Sequence, residues 1–362
     1  MRALIDLHHL GRHQTGNETW ARSIASHLLR FPGEDEYDVV VTDAAGETSK
    51  QFPARTTEIV SGSSTRRLLW DMPRLLRTLD SDVALVQYSM PITSVPCVVA
   101  VHDLSFEAPR AREWLPLPTR LRYRATIRAS VRRAAHVLAL SAHTRSDLIQ
   151  YYDVEPNRIT VVSAAANPAL LRRIEGASAA KVPGNVVTVG NVLPRKNLLV
   201  LARAVRNLRQ AGQDVRLSVV GTVPHQGRGI HTEITHLLGS AVTFTGYVSD
   251  EGLASAYRSA DVFAFPSLYE GFGIPVLEAM SAGVPVVCSD ASSLPEVVGD
   301  AALVTSATNV DAWVANLGTA LGDIQVRSRL ISAGRNRVTD FSWEHSAALV
   351  RRALRATVSP DR

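Results

Sequence analysis

The sequence predicts an α/β protein made of two doubly wound parallel sheets, each in its own domain. Three observations carry this. Short apolar runs of strand length alternate with helix-periodic segments along the chain, which is the rhythm of βαβ units. That rhythm breaks over Ser163–Gly184, a stretch rich in Ala, Gly and Pro with no clear strand. The 362 residues are also enough for two domains with separate cores.

Ala3–Leu7 opens the first half. Asp6 lies inside this apolar run, which therefore reads as a strand and not as a leader peptide. Gly11–Asn17 forms a glycine-containing turn into a helix over Thr19–Arg30. Asp38–Val41, Val83–Gln87, Val95–Val101, Val137–Leu140 and Ile159–Val162 follow as strands, with a helix over Pro73–Leu79 among their connections. The second half repeats the pattern with Val186–Val189, Arg216–Val220, Val242–Phe244, Val262–Phe265, Val286–Cys288 and Ala302–Val304. Each sheet is thus expected to hold about six strands. The domains are set at 1–170 and 185–340, with 171–184 as the linker. Ser342 is a suitable N-cap for a last helix within 341–362.

Composition agrees with a soluble enzyme. The apolar fraction of 46% is that of a globular protein, and no apolar run is long enough to cross a bilayer. Cys97 and Cys288 both lie in strand-like runs, so two buried thiols in a reducing cytoplasm are expected instead of a disulfide framework. The net charge is +5, yet only Lys50, Lys181 and Lys196 are lysine. Such an arginine excess fits codon bias in a GC-rich genome, so it is weak evidence for an anionic partner. It makes a retained lysine informative.

Three loops follow strands, where doubly wound sheets bind ligands. After Val262–Phe265 comes Glu270-Gly-Phe-Gly-Ile-Pro-Val-Leu-Glu278, two carboxylates with seven residues between them. Pro275 suits a first helical turn, and Gly283 suits the left-handed position that ends a helix. Free backbone N–H groups at such a helix start attract an anion. The acids would repel that anion unless they face hydroxyls, which sugar and ribose rings supply. After Val186–Val189 come Gly190-Asn191 and then Arg195-Lys196-Asn197, two adjacent cations near a helix start. After Val95–Val101 comes His102-Asp103. The histidine points to the carboxyl edge of the sheet, and Asp103 would either orient the imidazole or cap the next turn.

These motifs and their surroundings resemble the retaining glycosyltransferases of the GT-B fold, family 4. The E-x7-E element continues into Ala279–Asp290 and Leu294–Asp300 in the manner of that family, and Gly190…Arg195-Lys196-Asn197 is similar to its G-x(4)-R-K-N element. The resemblance implies two Rossmann-like domains facing across a cleft. The donor nucleoside-diphosphate sugar would lie mostly on the C-terminal domain, and a hydroxyl acceptor would enter from the N-terminal one. It implies that Gly190, Asn191, Arg195 and Lys196 hold the diphosphate and that Glu278 holds the ribose. Glu270 and the Gly271-Phe272-Gly273 backbone would hold the sugar. His102 would bind a sugar hydroxyl near the anomeric carbon, Gly16 would lie under the diphosphate, and Val248 is a candidate for base contact. The family's frequent second glycine after Gly16 is replaced here by Asn17-Glu18. The last helix of such proteins often crosses back to the N-terminal domain. No metal or other cofactor is implied, since fixed cations stabilise the departing diphosphate. Lys196→Ala is accordingly expected to lower transfer while sparing the melting temperature.

Other readings stay open at this stage. An epimerase or a glycosyl phosphorylase shares the fold, although the E-x7-E element argues against both. A basic nucleic-acid-binding protein is suggested by charge alone, and no aromatic-interleaved basic strand or recognition helix supports it. Arg120, Arg122, Arg124, Arg128, Arg132 and Arg133 make a basic run that suits an anionic membrane, a phosphorylated acceptor or plain solvent. Asp80-Ser-Asp82 matches a metal-binding D-x-D signature but precedes a strand, so a turn role is expected.

Overall fold

A computed structural model describes residues 1–11, 15–46, 52, 54–176 and 180–358, and it divides the chain into two units. The first unit comprises residues 1–109, 115–164 and the C-terminal segment from Ser342. The second comprises residues 110–114 and 165–341.

In the first unit, β1 (Arg2–Asp6), α1 (Thr15–Arg30), β2 (Glu36–Thr42) and β3 (Thr56–Val60) come first. They are followed by α2 (Ser64–Arg66), a π-helical stretch (Arg67–Asp71) and α3 (Met72–Thr78). The rest is β4 (Val83–Gln87), β5 (Cys97–Val101), α4 (Leu117–Arg133), β6 (His136–Ala139), α5 (Ala142–Tyr152) and β7 (Ile159–Val161). The described strands form one parallel sheet in the order β3-β2-β1-β4-β5-β6-β7. The order reverses direction between β1 and β4, which makes the ends of β1, β4 and β5 a switch point for ligands. β4 and β5 are buried along their whole length, as strands covered on both faces must be. Val86, Val99, Val101, Ile127, Val131 and Leu148 form part of their core.

The second unit holds α6 (Pro168–Gly176), β8 (Asn185–Val189), α7 (Leu198–Gln210), β9 (Arg216–Val220), α8 (Arg228–Leu238), β10 (Val242–Gly246) and α9 (Asp250–Ser259). It continues through β11 (Val262–Phe265), α10 (Ile274–Ser281), β12 (Val286–Ser289), α11 (Leu294–Val298), β13 (Leu303–Thr305), α12 (Val310–Gly322) and α13 (Ile324–Val338). Its described strands pair in parallel in the order β10-β9-β8-β11-β12-β13, with the switch between β8 and β11. α7 buries Leu198, Leu201, Ala202, Val205 and Leu208, the three-and-four spacing of one helix face.

The last helix, α14 (Trp343–Val358), belongs to the first unit. Ser342 Oγ accepts from the His345 N–H at 3.3 Å and so caps it. Trp343, Ala347, Val350 and Leu354 are buried along one face. Arg355 Nε lies 3.0 Å from the buried Asp35 carboxylate.

Three elements differ from the sequence reading. β3 adds an edge strand to the first sheet, giving seven described strands. Its residues Thr56 to Ile59 are alternately half-exposed and exposed and only Val60 is buried, so no apolar run announced it. The stretch read as a linker carries α6, which buries Leu170 and Ile174. α3 is preceded by a π-helical stretch in which Arg67 is buried. Asp80 and Asp82 take the turn role expected for them, since both carboxylates accept from Arg2 ahead of β4.

Candidate active site

In the second unit the site is built at the β8–β11 switch. β8 runs into Gly190 with φ of 143°, and a Cβ there would come within 3.2 Å of Lys196 Cε. The glycine leaves room for the lysine to lie across it. A short turn over Pro194–Lys196 ends at Asn197 in the left-handed conformation. The Asn197 amide donates to the carbonyls of Pro266 at 3.1 Å and Ala307 at 2.6 Å, tying the turn to the loops after β11 and β13. Asn191 is exposed, and its side-chain oxygen accepts from the Thr222 N–H at 3.1 Å and hydroxyl at 2.8 Å.

Glu270 sits between the two cations. Lys196 Nζ is 2.5 Å from Oε1, and Arg195 Nη1 is 3.3 Å from Oε2 and 3.2 Å from the Tyr269 carbonyl. Lys196 Nζ also lies 4.6 Å over the Phe265 ring. Burial pushes the Glu270 carboxyl up, but Lys196 and Arg195 outweigh it and bring it down to about 2. Two cations against one carboxylate leave these three side chains with one net positive charge.

The loop itself is held by two serines that the sequence reading passed over. The Glu270 N–H donates to Ser292 Oγ at 2.7 Å. Ser293 Oγ donates to the carbonyls of Glu270 at 2.9 Å and Phe272 at 3.0 Å. Both serines follow β12 at the same edge of the sheet, which is the positional signal that could have found them. Gly271 is half-buried. The Phe272 ring is buried edge-on against Phe341, so this residue offers the site its backbone only. Gly273 caps α10 with φ of 111°, and a Cβ there would meet Leu294 Cδ2 at 2.7 Å. Gly283 follows α10 with φ of 67°, as its place in the sequence predicts.

Glu278 lies inside α10 and is buried. Its Oε2 accepts from the Tyr257 hydroxyl of α9 at 2.8 Å. Burial pushes this carboxyl up to about 7, although Tyr257 and the Asn167 backbone oppose the rise. Tyr257 is the residue here that the motif did not signal. Val248 is half-buried in the turn before α9, close to Gly252.

In the first unit His102 follows β5 directly and is buried. Its Nε2 lies 2.8 Å from Gln87 Oε1. Asp103 does not orient the ring; its carboxylate accepts from the Ser105 N–H at 2.9 Å and caps the turn. Trp20 and Tyr88 stand with ring centroids 5.1 and 5.3 Å from His102, and His9 at 6.5 Å. His8 lies 3.9 Å from His9 and beside Asp6, which also pairs with the buried Arg67. Burial, with His9 and His8 adding to it, holds the His102 imidazole well below the usual histidine range. The ring is therefore neutral at physiological pH. His8 and His9 follow β1 just as His102 follows β5, so the same edge rule would have found them.

Gly16 lies exposed in the first turn of α1, with open space where a Cβ would stand. The turn requires glycine at Gly11 instead, where φ is 74° and a Cβ would strike the Ala44 carbonyl. Glu18, which departs from the family pattern, accepts from the Gly11 N–H at 3.1 Å and from Arg22 at 2.7 Å. Arg12, His13 and Gln14 lie outside the described residues.

Comparison with known proteins follows the same division. The family described as glycosyl transferases group 1 matches residues 177–337, and glycosyltransferase family 4 matches residues 15–170. O-antigen chain mannosyltransferase B of Escherichia coli is 34% identical over 266 residues, which are 68% of this chain and 67% of that protein. The MMP alpha-(1->4)-mannosyltransferase of Mycolicibacterium hassiacum is 34% identical over 70% of this chain and 63% of its own length. The chain thus spans about two thirds of these relatives. The crystal structure of Anabaena HepE in complex with UDP-glucose is similar with a TM-score of 0.75 and 19% identity, covering 98% of this chain and 100% of that one.

Proposed function

The chain belongs to glycosyltransferase family 4, with the GT-B fold, and from that premise we propose that it is a retaining, metal-independent hexosyltransferase. It takes a sugar from a nucleoside-diphosphate sugar and joins it to an acceptor hydroxyl. The observation that carries the reading is the Arg195–Lys196–Glu270 cluster at the switch point of the second sheet. When the bond from the anomeric carbon to the diphosphate breaks, the terminal phosphate gains negative charge. Arg195 and Lys196 sit on the turn that Asn197 anchors to the carbonyls of Pro266 and Ala307, so they meet that charge with little backbone reorganisation. As the diphosphate takes the cations, the ionised Glu270 turns to the hydroxyls of the sugar. Glu278 accepts from the ribose hydroxyls. The acceptor oxygen bonds to the anomeric carbon from the face that the phosphate leaves, and its proton passes to the departing phosphate oxygen. The products are a glycoside of unchanged configuration and the nucleoside diphosphate.

Proton NMR of the product made from an α-linked nucleotide sugar tests this. An α-linked product, formed at full rate in EDTA, is expected. A β-linked product or strict metal dependence contradicts the reading.

On the acceptor side we propose work at an anionic membrane surface. No helix among the described residues is long and apolar enough to cross a membrane. The support is α4, where Leu117 and Leu121 are 62% and 53% exposed and four residues apart, with Arg122 and Arg128 in the same helix. The protein should sediment with phosphatidylglycerol vesicles and lose this in a Leu117→Asp, Leu121→Asp variant. Equal sedimentation of both proteins would remove α4 from the account.

A further inference from the structure

Gln87 ends β4, and its partner in register is Ala100 of β5. His102 lies two residues further along, so the alternation of side chains puts carboxamide and imidazole on one face of the sheet. Both are buried.

The carboxamide is oriented by a group that has one option. The Asp6 backbone carbonyl can only accept, and it lies 3.2 Å from Gln87 Nε2, which donates to it. The Gln87 oxygen then faces His102 Nε2 at 2.8 Å, and it too can only accept. Nε2 must therefore carry hydrogen. Burial and the neighbouring His9 and His8 oppose a second proton on the ring. Nδ1 is left as a bare lone pair. That atom is buried and has no hydrogen-bond partner among the described residues. Buried acceptors are rarely left unpaired, so a ligand that completes the bond is the natural occupant.

We infer that Gln87 is a positioning residue that holds His102 as the Nε2–H tautomer, so that Nδ1 accepts a hydrogen bond from a substrate hydroxyl. This rests on the reading of His102 as a sugar contact, and it fixes what that contact selects. A sugar with a free hydroxyl at this point supplies the missing proton. A deoxy sugar, a methyl ether or a carboxylate supplies none and is refused. The bonds from hydroxyl to His102, His102 to Gln87 and Gln87 to Asp6 all run in one direction, so each polarises the next.

The test is the 15N spectrum of imidazole-labelled protein near neutral pH, with the His102 signals assigned by comparison with His102→Gln. A pyrrole-type Nε2 and a pyridine-type Nδ1 are expected without ligand, and the Nδ1 signal should shift when a nucleotide sugar binds. Gln87→Glu keeps the size but presents a carboxylate, which favours a doubly protonated ring. That variant should lose about tenfold or more in kcat while its Kd for the nucleoside diphosphate stays unchanged. A pyrrole-type Nδ1 in the unsubstituted protein, or full kcat in Gln87→Glu, overturns the inference. The spectrum needs no turnover. If no nucleotide sugar is a substrate, the proposed function fails while the tautomer is still decided.

Discussion

Glu270 and Glu278 bracket one loop and one helix start, and the second unit surrounds them in opposite ways. Glu270 lies between Lys196 and Arg195 and is held down to about 2. Glu278 is buried against the neutral Tyr257 hydroxyl and is pushed up to about 7. Each value departs by roughly as much from the ordinary 4.5, so each represents on the order of 3 kcal/mol, with opposite sign. For Glu270 that amount stabilises the fold above about pH 4.5 and is lost as pH falls toward 2. For Glu278 it is a penalty absent below about pH 4.5, growing as pH rises to about 7 and constant above. Identical side chains thus become a permanent anion and a group that titrates near neutrality. The spacing of the motif brings them together, and their neighbours set their chemistry.

The largest effect is expected where the comparison is broken outright. Lys196→Ala should lower kcat/KM by about a hundredfold or more, the scale for removing one preorganised charge-stabilising group. It should also lower the melting temperature, which corrects the expectation from sequence. Lys196 is not a surface cation; its loss leaves the buried Glu270 with Arg195 as its remaining counter-ion, and breaking a buried pair costs about 3–5 kcal/mol. Activity assays and thermal denaturation on the same preparation check both parts. A destabilised variant with full turnover would make Lys196 a counter-ion for Glu270 and nothing more.

A smaller effect sharpens the comparison. Glu270→Gln removes the anion but keeps the shape. Its turnover with a sugar donor should fall about tenfold or more, while binding of the free nucleoside diphosphate is kept or tightened, because the cations lose a competitor. Calorimetry against steady-state kinetics separates the two. Weaker diphosphate binding would mean that Glu270 orients the cations and has no separate role with the sugar.

Much of this was legible in the sequence, and the parts that were not share a cause. Apolar runs such as Val186–Val189 and Val262–Phe265 are buried strands whose composition admits little else. Pro275 and Gly283 marked the ends of α10 because their backbone preferences are strong. β3 was missed because an edge strand needs an apolar face on one side only. Gln87, Tyr257, Ser292 and Ser293 were missed because each acts through a partner distant in sequence. The pairing of Lys196 with Glu270 was missed for the same reason, since 73 residues separate them. Residue type announces a donor or a cation, and only the fold says which acceptor it meets.

The contrast between the two glutamates is tested most directly by calorimetric titration of a nucleoside diphosphate across about pH 5.5 to 8.5, on the unsubstituted protein and on Glu278→Gln. A ribose diol donates best to an ionised carboxylate, so binding through Glu278 should strengthen as pH rises through about 7. The diphosphate has its own titration, and the glutamine variant reports it alone. The account predicts that the affinity advantage of Glu278 over glutamine widens by up to about tenfold per pH unit below 7 and levels off above it. Parallel affinity profiles for the two proteins would show that Glu278 does not carry its charge to the ribose, and would contradict the division of labour between the two carboxylates.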